Sequence, residues 1–386
     1  MRAFAYQEKR SFPGLRFVIR RIFKWVGMGV VCLAVVVFSF ALLYRKYLQH
    51  KVVEERAITS PTGINSLDPV RIGGIDEWVE VRGQNLNNPI LLVIHGGPGI
   101  AFIPLARSFQ GPWENRFTVV EWDQRGAGKT YASNDKDLQR RTMHVPQMEQ
   151  DTLDVANYLR HRFQRKKIFV MGHSWGSLLG LWLAHEHPEL IYAYVGVGQV
   201  VNPKQNDEVG YRDALQEARS THNQQAVREL ESNAPSTNVD LRKGQTTENW
   251  QAALLGPPSN GAAFMNIRSV LSDLVSAPEY SLVDDFSFPR GQLLSLEILI
   301  PQARKVDLTQ LGSDFRVPIF FFEGRHDPYA RPSLIWSYYQ TIKAPHKEFV
   351  WFESSGHFPF FEENQKFADE LFQRVLPLAI DRQDGN

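Results

Sequence analysis

Three polar residues, far apart in the chain, have the types that nucleophilic catalysis requires: Ser174, Asp327 and His357. A serine hydroxyl attacks a carbonyl only when a general base takes its proton, and an imidazole base needs a carboxylate to orient it and stabilise its cation. Ser174 stands in Gly172-His173-Ser174-Trp175-Gly176, directly after the apolar run Ile168–Met171 and before a stretch with helical spacing. In that strand–turn–helix setting the turn is sharp and the serine strained, and flanking glycines remove side chains that would collide. Asp327 follows the run PIFFFEG, and His357 follows FVWF. Both therefore lie just past the carboxyl ends of strand-like runs, where sites gather in open α/β sheets. The rivals are His326 as base, which adjoins the acid too closely for good imidazole geometry, and Glu353 as acid.

Attack on a carbonyl also needs preorganised N–H donors for the developing oxyanion. His95-Gly96-Gly97-Pro98-Gly99 follows the apolar run ILLVI. Pro98 has no N–H, so the Gly97 amide is the candidate donor from this loop and the Trp175 amide is the second. His95 is expected to hold the loop rather than to react. Gly126-Ala127-Gly128-Lys129-Thr130 resembles the end of a phosphate-binding loop, but position 123, where that motif needs glycine, is Asp123. The segment is read as a structural turn, with Asp123 and Arg125 fixing loops near the site.

These residues need elements to position them. Short apolar runs at Ile90–Ile94, Phe117–Trp122, Ile168–Met171, Ile191–Val197, Ile319–Phe322 and Phe349–Phe352 suit strands buried on both faces. Ile75–Val81 alternates as a half-buried strand does. Helical spacing marks Gln147–Arg162, Trp175–His185, Pro332–Ile342 and Glu362–Val375. Strands alternating with helices predict an α/β fold, a mostly parallel central sheet flanked by helices. Residues 201–310 break the alternation and are expected to form an inserted helical cap, with helices near Asp213–Leu230, Phe264–Leu274 and Leu293–Arg304. The core is then residues 69–200 and 311–386.

HGGPG at 95–99, DQRGAGKT at 123–130, GHSWGS at 172–177, GRHD at 324–327 and SGH at 355–357 occur in that order. Together they resemble the prolyl iminopeptidase family of α/β-hydrolases, over about residues 70–380. The resemblance implies a capped α/β-hydrolase fold with Ser174 as nucleophile, Asp327 as acid, His357 as base, and Gly97 and Trp175 amides as the oxyanion hole. No cofactor or metal is implied. Members of this family hold the substrate's free amine with cap glutamates. Glu208 and Glu217 are the candidates carried forward, with Glu229, Glu231 and Glu297 also available. His173 departs from the second glycine usual in proline-releasing members, and Thr130 from a more common serine. The activity implied is release of N-terminal proline, or another small residue, from peptides through an acyl-enzyme. An esterase or small-amide hydrolase would use the same groups, and a tethered binding protein that had lost catalysis is a third possibility.

The run Trp25–Leu43 carries no charge and spans about 28 Å as a helix, close to the roughly 30 Å hydrocarbon core of a bilayer. Basic residues are in excess ahead of it, which predicts a cytoplasmic segment 1–24, a transmembrane anchor 25–44 and a catalytic part on the outer face. A cleaved signal peptide is the competing reading, with a weak site at Ser39-Phe40-Ala41; the apolar run is long for that. Residues 45–68 read as a polar linker. The chain of 386 residues has 43 basic and 42 acidic side chains, a balance that argues against a nucleic-acid partner. Its partners are expected to be a small peptide or ester and the lipid bilayer. With Cys32 the single cysteine, an intrachain disulfide is excluded.

Overall fold

The computed structural model of the protein describes residues 13–235, 241–257 and 267–380. The chain opens in a helix, α1 (Pro13–Glu55), whose apolar stretch projects away from the rest of the molecule with almost every side chain exposed. Then come β1 (Ile64–Ile72), β2 (Ile75–Gly83), β3 (Ile90–Ile94), β4 (Thr118–Asp123), α2 (Gly128–Ser133), α3 (Lys136–Thr142) and α4 (Val145–Arg162). β5 (Ile168–His173), α5 (Trp175–Glu186) and β6 (Ile191–Val197) complete the first half. After an insertion follow β7 (Ile319–Gly324), α11 (Pro332–Thr341) and β8 (Lys347–Phe352), then a helical run from Pro359 to Ile380.

Among the described residues the strands form one sheet in the order β1-β2-β4-β3-β5-β6-β7-β8. β1–β2 and β2–β4 pair antiparallel; every other pair is parallel. β3, β4, β5 and β7 are buried at every residue, because helices cover both faces. One face packs Leu92, Val170 and Phe321 against α4, α5 and α11; the other packs Val93, Met171 and Phe320 against Phe102, Trp113 and the C-terminal run. Full burial of each such side chain is worth about 1.5–3 kcal/mol. This explains why continuous apolar runs, rather than alternating ones, marked these strands in the sequence.

The insertion between β6 and β7 is helical: α6 (Pro203–Ser220), α7 (Gln224–Ser232), α8 (Leu241–Leu255), α9 (Ile267–Ser276) and α10 (Leu282–Ala303). The expected helix 213–230 is two helices. Thr221 ends α6, His222 has φ +56°, and the Asn223 side chain caps α7 by accepting from the Ala226 N–H. α8 has no counterpart among the expected helices. α10 starts eleven residues before the expected Leu293, at a capping box in which Ser281 and Asp284 bond each other's backbone N–H. Pro289 within it hides the helix from a reading by propensity. Of the expected helix 264–274, residues 264–266 lie outside the described residues.

Residues 45–55, expected to be linker, continue α1 and pack on the insertion. Arg45 donates to the Tyr280 carbonyl (2.9 Å) and to Asp285 (2.7 Å), Gln49 donates to the Ala277 carbonyl (2.8 Å), and Val52 is buried. Arg56, just beyond the helix, pairs with Glu114 at 2.9 Å. Positions 45, 49, 52 and 56 share one helical face, which is why a charged stretch forms a docked element. β1 likewise begins at Ile64, inside the expected linker.

Candidate active site

β5 delivers its chain to Ser174 in a strained conformation, φ 52° and ψ −120°. The left-handed region costs a β-carbon residue energy that neighbours must hold in place. The holding contacts are tight. A Cβ on Gly172 would lie 2.5 Å from the Gly176 carbonyl oxygen, and one on Gly176 would lie 2.1 Å from that of Ile94. Ser174 N–H donates to the Val197 carbonyl (3.0 Å), tying the turn to the end of β6. Trp175 is the first residue of α5, so its N–H has no acceptor within the helix.

The HGGPG loop lies against this turn: a Cβ on Gly96 would be 2.9 Å from Ser174 Cβ. Gly97 has φ +116°, where a side chain is strained. His95 braces the loop. Its Nδ1–H donates to the Gly96 carbonyl (2.9 Å), Nε2 accepts from the Gln124 N–H (3.3 Å), and Gln124 in turn donates to the His95 carbonyl (2.9 Å). Burial pushes the His95 imidazole down to about 4, so it stays neutral in this role. The Trp175 indole N–H donates to the Gln124 amide oxygen at 3.1 Å, linking loop and turn. α10 lies over the loop, with Ser295 Cβ only 2.8 Å from where a Gly99 side chain would start.

His357 and Asp327 meet at the ends of β8 and β7. His357 Nδ1–H donates to Asp327 Oδ2 at 2.7 Å, and Oδ1 accepts the N–H groups of Tyr329 (2.7 Å) and Ala330 (2.8 Å). Both side chains are buried. Gly198, φ +53°, directly follows the Val197 that receives the Ser174 N–H; a Cβ on it would sit 2.8 Å from the His357 ring and 3.3 Å from Asp327 Oδ2. The carboxyl ends of β5, β6, β7 and β8 thus bring the three residues to one rim.

The loop carrying His357 is held from three sides. Gly356 N–H donates to Glu362 (2.6 Å), Ser355 Oγ–H donates to Glu363 (2.7 Å), and His173 Nε2–H donates to the His357 carbonyl (2.9 Å). Burial, with the nearby His357, keeps the His173 imidazole well below its ordinary range and neutral. Burial raises Glu362 to about 7. The rival acid Glu353 is exposed and grips Arg325 through both oxygens (2.8 and 2.7 Å). His326 is half-buried, its N–H donating to the Ser355 carbonyl at 3.0 Å. The segment 123–130 is a braced turn: Asp123 accepts from the Lys129 N–H (2.7 Å) and the Tyr280 hydroxyl, while Arg125 pairs with Asp151 (2.9 Å) and donates to the Gly73 carbonyl (2.9 Å).

The cap glutamates chosen from the sequence lie elsewhere. Glu208 is exposed on α6, 4.0 Å from Lys204. Glu217 is half-buried in the second half of α6. Glu229 accepts from Gln225 and Trp250, Glu231 pairs with Arg219, and Glu297 pairs with Arg140. A carboxylate not singled out from the sequence, Glu248 on α8, carries the stronger signature. It is open to water yet crowded enough that desolvation raises it to about 7, with Asp207 adding to the rise and His357 opposing it. The electrostatic influence of His357 on this carboxylate means that the two groups lie within reach of each other's charge. No pattern in Thr246-Thr247-Glu248-Asn249 sets this residue apart from an ordinary exposed helical glutamate. Among the described residues, no group of three or more His, Cys, Asp or Glu is placed to hold a metal ion.

Residues 89–364 match the family described as alpha/beta hydrolase fold. The chain is 29% identical over 326 residues to the probable aminopeptidase YbaC of Bacillus subtilis, covering 81% of this chain and 97% of that one. It is 33% identical over 111 residues to a probable proline iminopeptidase of Leptolyngbya boryana, 28% of this chain and 30% of that one. Among solved structures, the proline iminopeptidase of Mycobacterium smegmatis superposes with a TM-score of 0.58 at 16% identity, covering 83% of this chain and all (100%) of that one. A membrane phospholipase A superposes with a TM-score of 0.60 at 18% identity, covering 92% and 99%. With the sheet order, the strained turn and these matches together, the chain belongs to the α/β-hydrolase family.

Proposed function

We propose that the protein is a serine hydrolase that cleaves an N-terminal residue, proline or another small one, from peptides. The observation that carries this reading is the 2.7 Å His357–Asp327 hydrogen bond at the rim where Ser174 is held in a strained turn. His357 takes the Ser174 proton as Oγ attacks the scissile carbonyl, and Asp327 stabilises the imidazolium. The Gly97 and Trp175 amides receive the oxyanion. The C–N bond breaks as His357 protonates the leaving amine, and water, deprotonated by the same imidazole, releases the acyl group. Glu248 is the carboxylate that holds the substrate's ammonium, and names of relatives such as YbaC support the aminopeptidase class.

The test uses a fluorophosphonate probe and aminoacyl-arylamides on the intact chain. Wild type is labelled and Ser174→Ala is not. Equal turnover of free and N-blocked arylamides removes the aminopeptidase reading and leaves the second one, an esterase. What favours that second reading is the likeness in fold to a membrane phospholipase A along a chain that carries its own apolar helix. Residues 25–44 are proposed to span a bilayer with the N-terminus in the cytoplasm. Among the described residues α1 is the one helix long and apolar enough to do so, and its apolar stretch has no protein packed around it.

A further inference from the structure

We propose that the outer face of α10, starting with Val283 and Phe286, is a second membrane contact that seats in the lipid interface beside the anchor. The proposal rests on the reading of residues 25–44 as bilayer-spanning. Three observations carry it. First, α10 is apolar on both sides. Its inner face buries Phe288, Leu294 and Leu299, while Val283 (66% exposed), Phe286 (69%) and Leu293 (62%) stand on the outside. Positions 283, 286, 290 and 293 share one helical face, and the residue between them, Arg290, is an exposed cation. An apolar stripe with a basic residue is the composition that lies in a headgroup boundary rather than in water.

Second, the position of this stripe relative to the span is fixed by contacts. Leu43 ends the apolar run, and Tyr44 and Tyr47 follow it, both exposed and stacked with ring centroids 6.4 Å apart. Aromatic residues at that point mark the membrane–water interface. Arg45, between them, pairs with Asp285 at 2.7 Å and donates to the Tyr280 carbonyl. Phe286 is the next residue after Asp285, so it is held at the depth of the tyrosines. Third, the crevice where α1 meets the insertion, about 500 Å³ and lined by Arg45, Lys46 and Gln49 with Tyr280, Ser281 and Val283, opens at this same level. Exposed Val275 and Leu271 on α9, which packs on α1, extend the apolar surface.

The experiment uses the full chain with Cys32→Ser, reconstituted in phosphatidylcholine–phosphatidylglycerol vesicles. An environment-sensitive fluorophore is attached to Phe286→Cys or, as a control, to Gln365→Cys on the C-terminal helical run. A third sample labels the native Cys32 in the middle of the span. Lipids carrying a quencher near the headgroup or near the chain end are then compared. Expected is strong quenching of the 286 label by the shallow quencher and none of the 365 label. A Cys32 label quenched by the deep quencher, with the 286 label unquenched, overturns this surface and leaves the anchor standing. An unquenched Cys32 label overturns both.

Discussion

At Ser174, His357 and Asp327 the chemistry follows from residue type, and the proposed roles make a direct prediction. Ser174→Ala and His357→Ala each lower kcat on an arylamide by several orders of magnitude, about 10⁴-fold or more, while circular dichroism stays native. Glu248 predicts a pH effect. A carboxylate must be charged to hold an ammonium, and this one is raised to about 7. KM for a free-amine substrate therefore falls as pH rises through about 7, until the substrate's own amine loses its proton near pH 8. In Glu248→Gln the fall is absent and KM is uniformly high; a wild-type KM flat across that range counts against the role. His173 is a positioning residue. His173→Leu leaves the His357 carbonyl without its donor, at a cost of about 1–3 kcal/mol in a urea melt. It also lowers kcat more than KM, because the loop of the base loses its brace. Motif positions 174, 327 and 357 were readable from the sequence because strand ends carry them. Glu248 was not, because its distinction comes from desolvation in the folded chain and from Asp207 on another helix, and not from its sequence neighbours.

At the scale of elements, the buried strands were legible because full burial on both faces leaves continuous apolar runs. The elements that the sequence concealed are those whose stability comes from packing on a partner. α6 and α7 read as one helix because the break at His222 is made by caps of one or two residues. α10 was cut short by Pro289, and α8 has weak periodicity. Between β5 and α5 the steric limit is severe. Gly176→Ala would drive a methyl into the Ile94 carbonyl, so the elbow cannot close. The expected outcome is a loss of about 3 kcal/mol or more in denaturant unfolding together with loss of probe labelling. A variant with native stability would mean that β3 yields far more than its burial suggests.

At the scale of the whole molecule, the long first helix is proposed to join a bilayer to the folded body. It is expected to keep the protein in the pellet of an alkaline carbonate wash, whereas a chain lacking residues 1–43 is recovered in the supernatant. The lower turns of that helix were misjudged from sequence because Arg45, Gln49 and Arg56 look like solvated residues until their partners are known, on the insertion for the first two and at Glu114 of the core for the third. Their docking also decides where the enzyme can be cut free. A clip just ahead of Thr62 strips the Arg45 counter-charge from Asp285 and uncovers Ala277 and Tyr280, while a clip at Tyr44 spares these contacts. The longer fragment should outlast the shorter by about 3 kcal/mol in urea. If residues 25–44 span a bilayer as proposed, a protease shedding the chain would therefore release a durable product only by severing the helix at its water line, which makes residues 45–56 part of the body they tether.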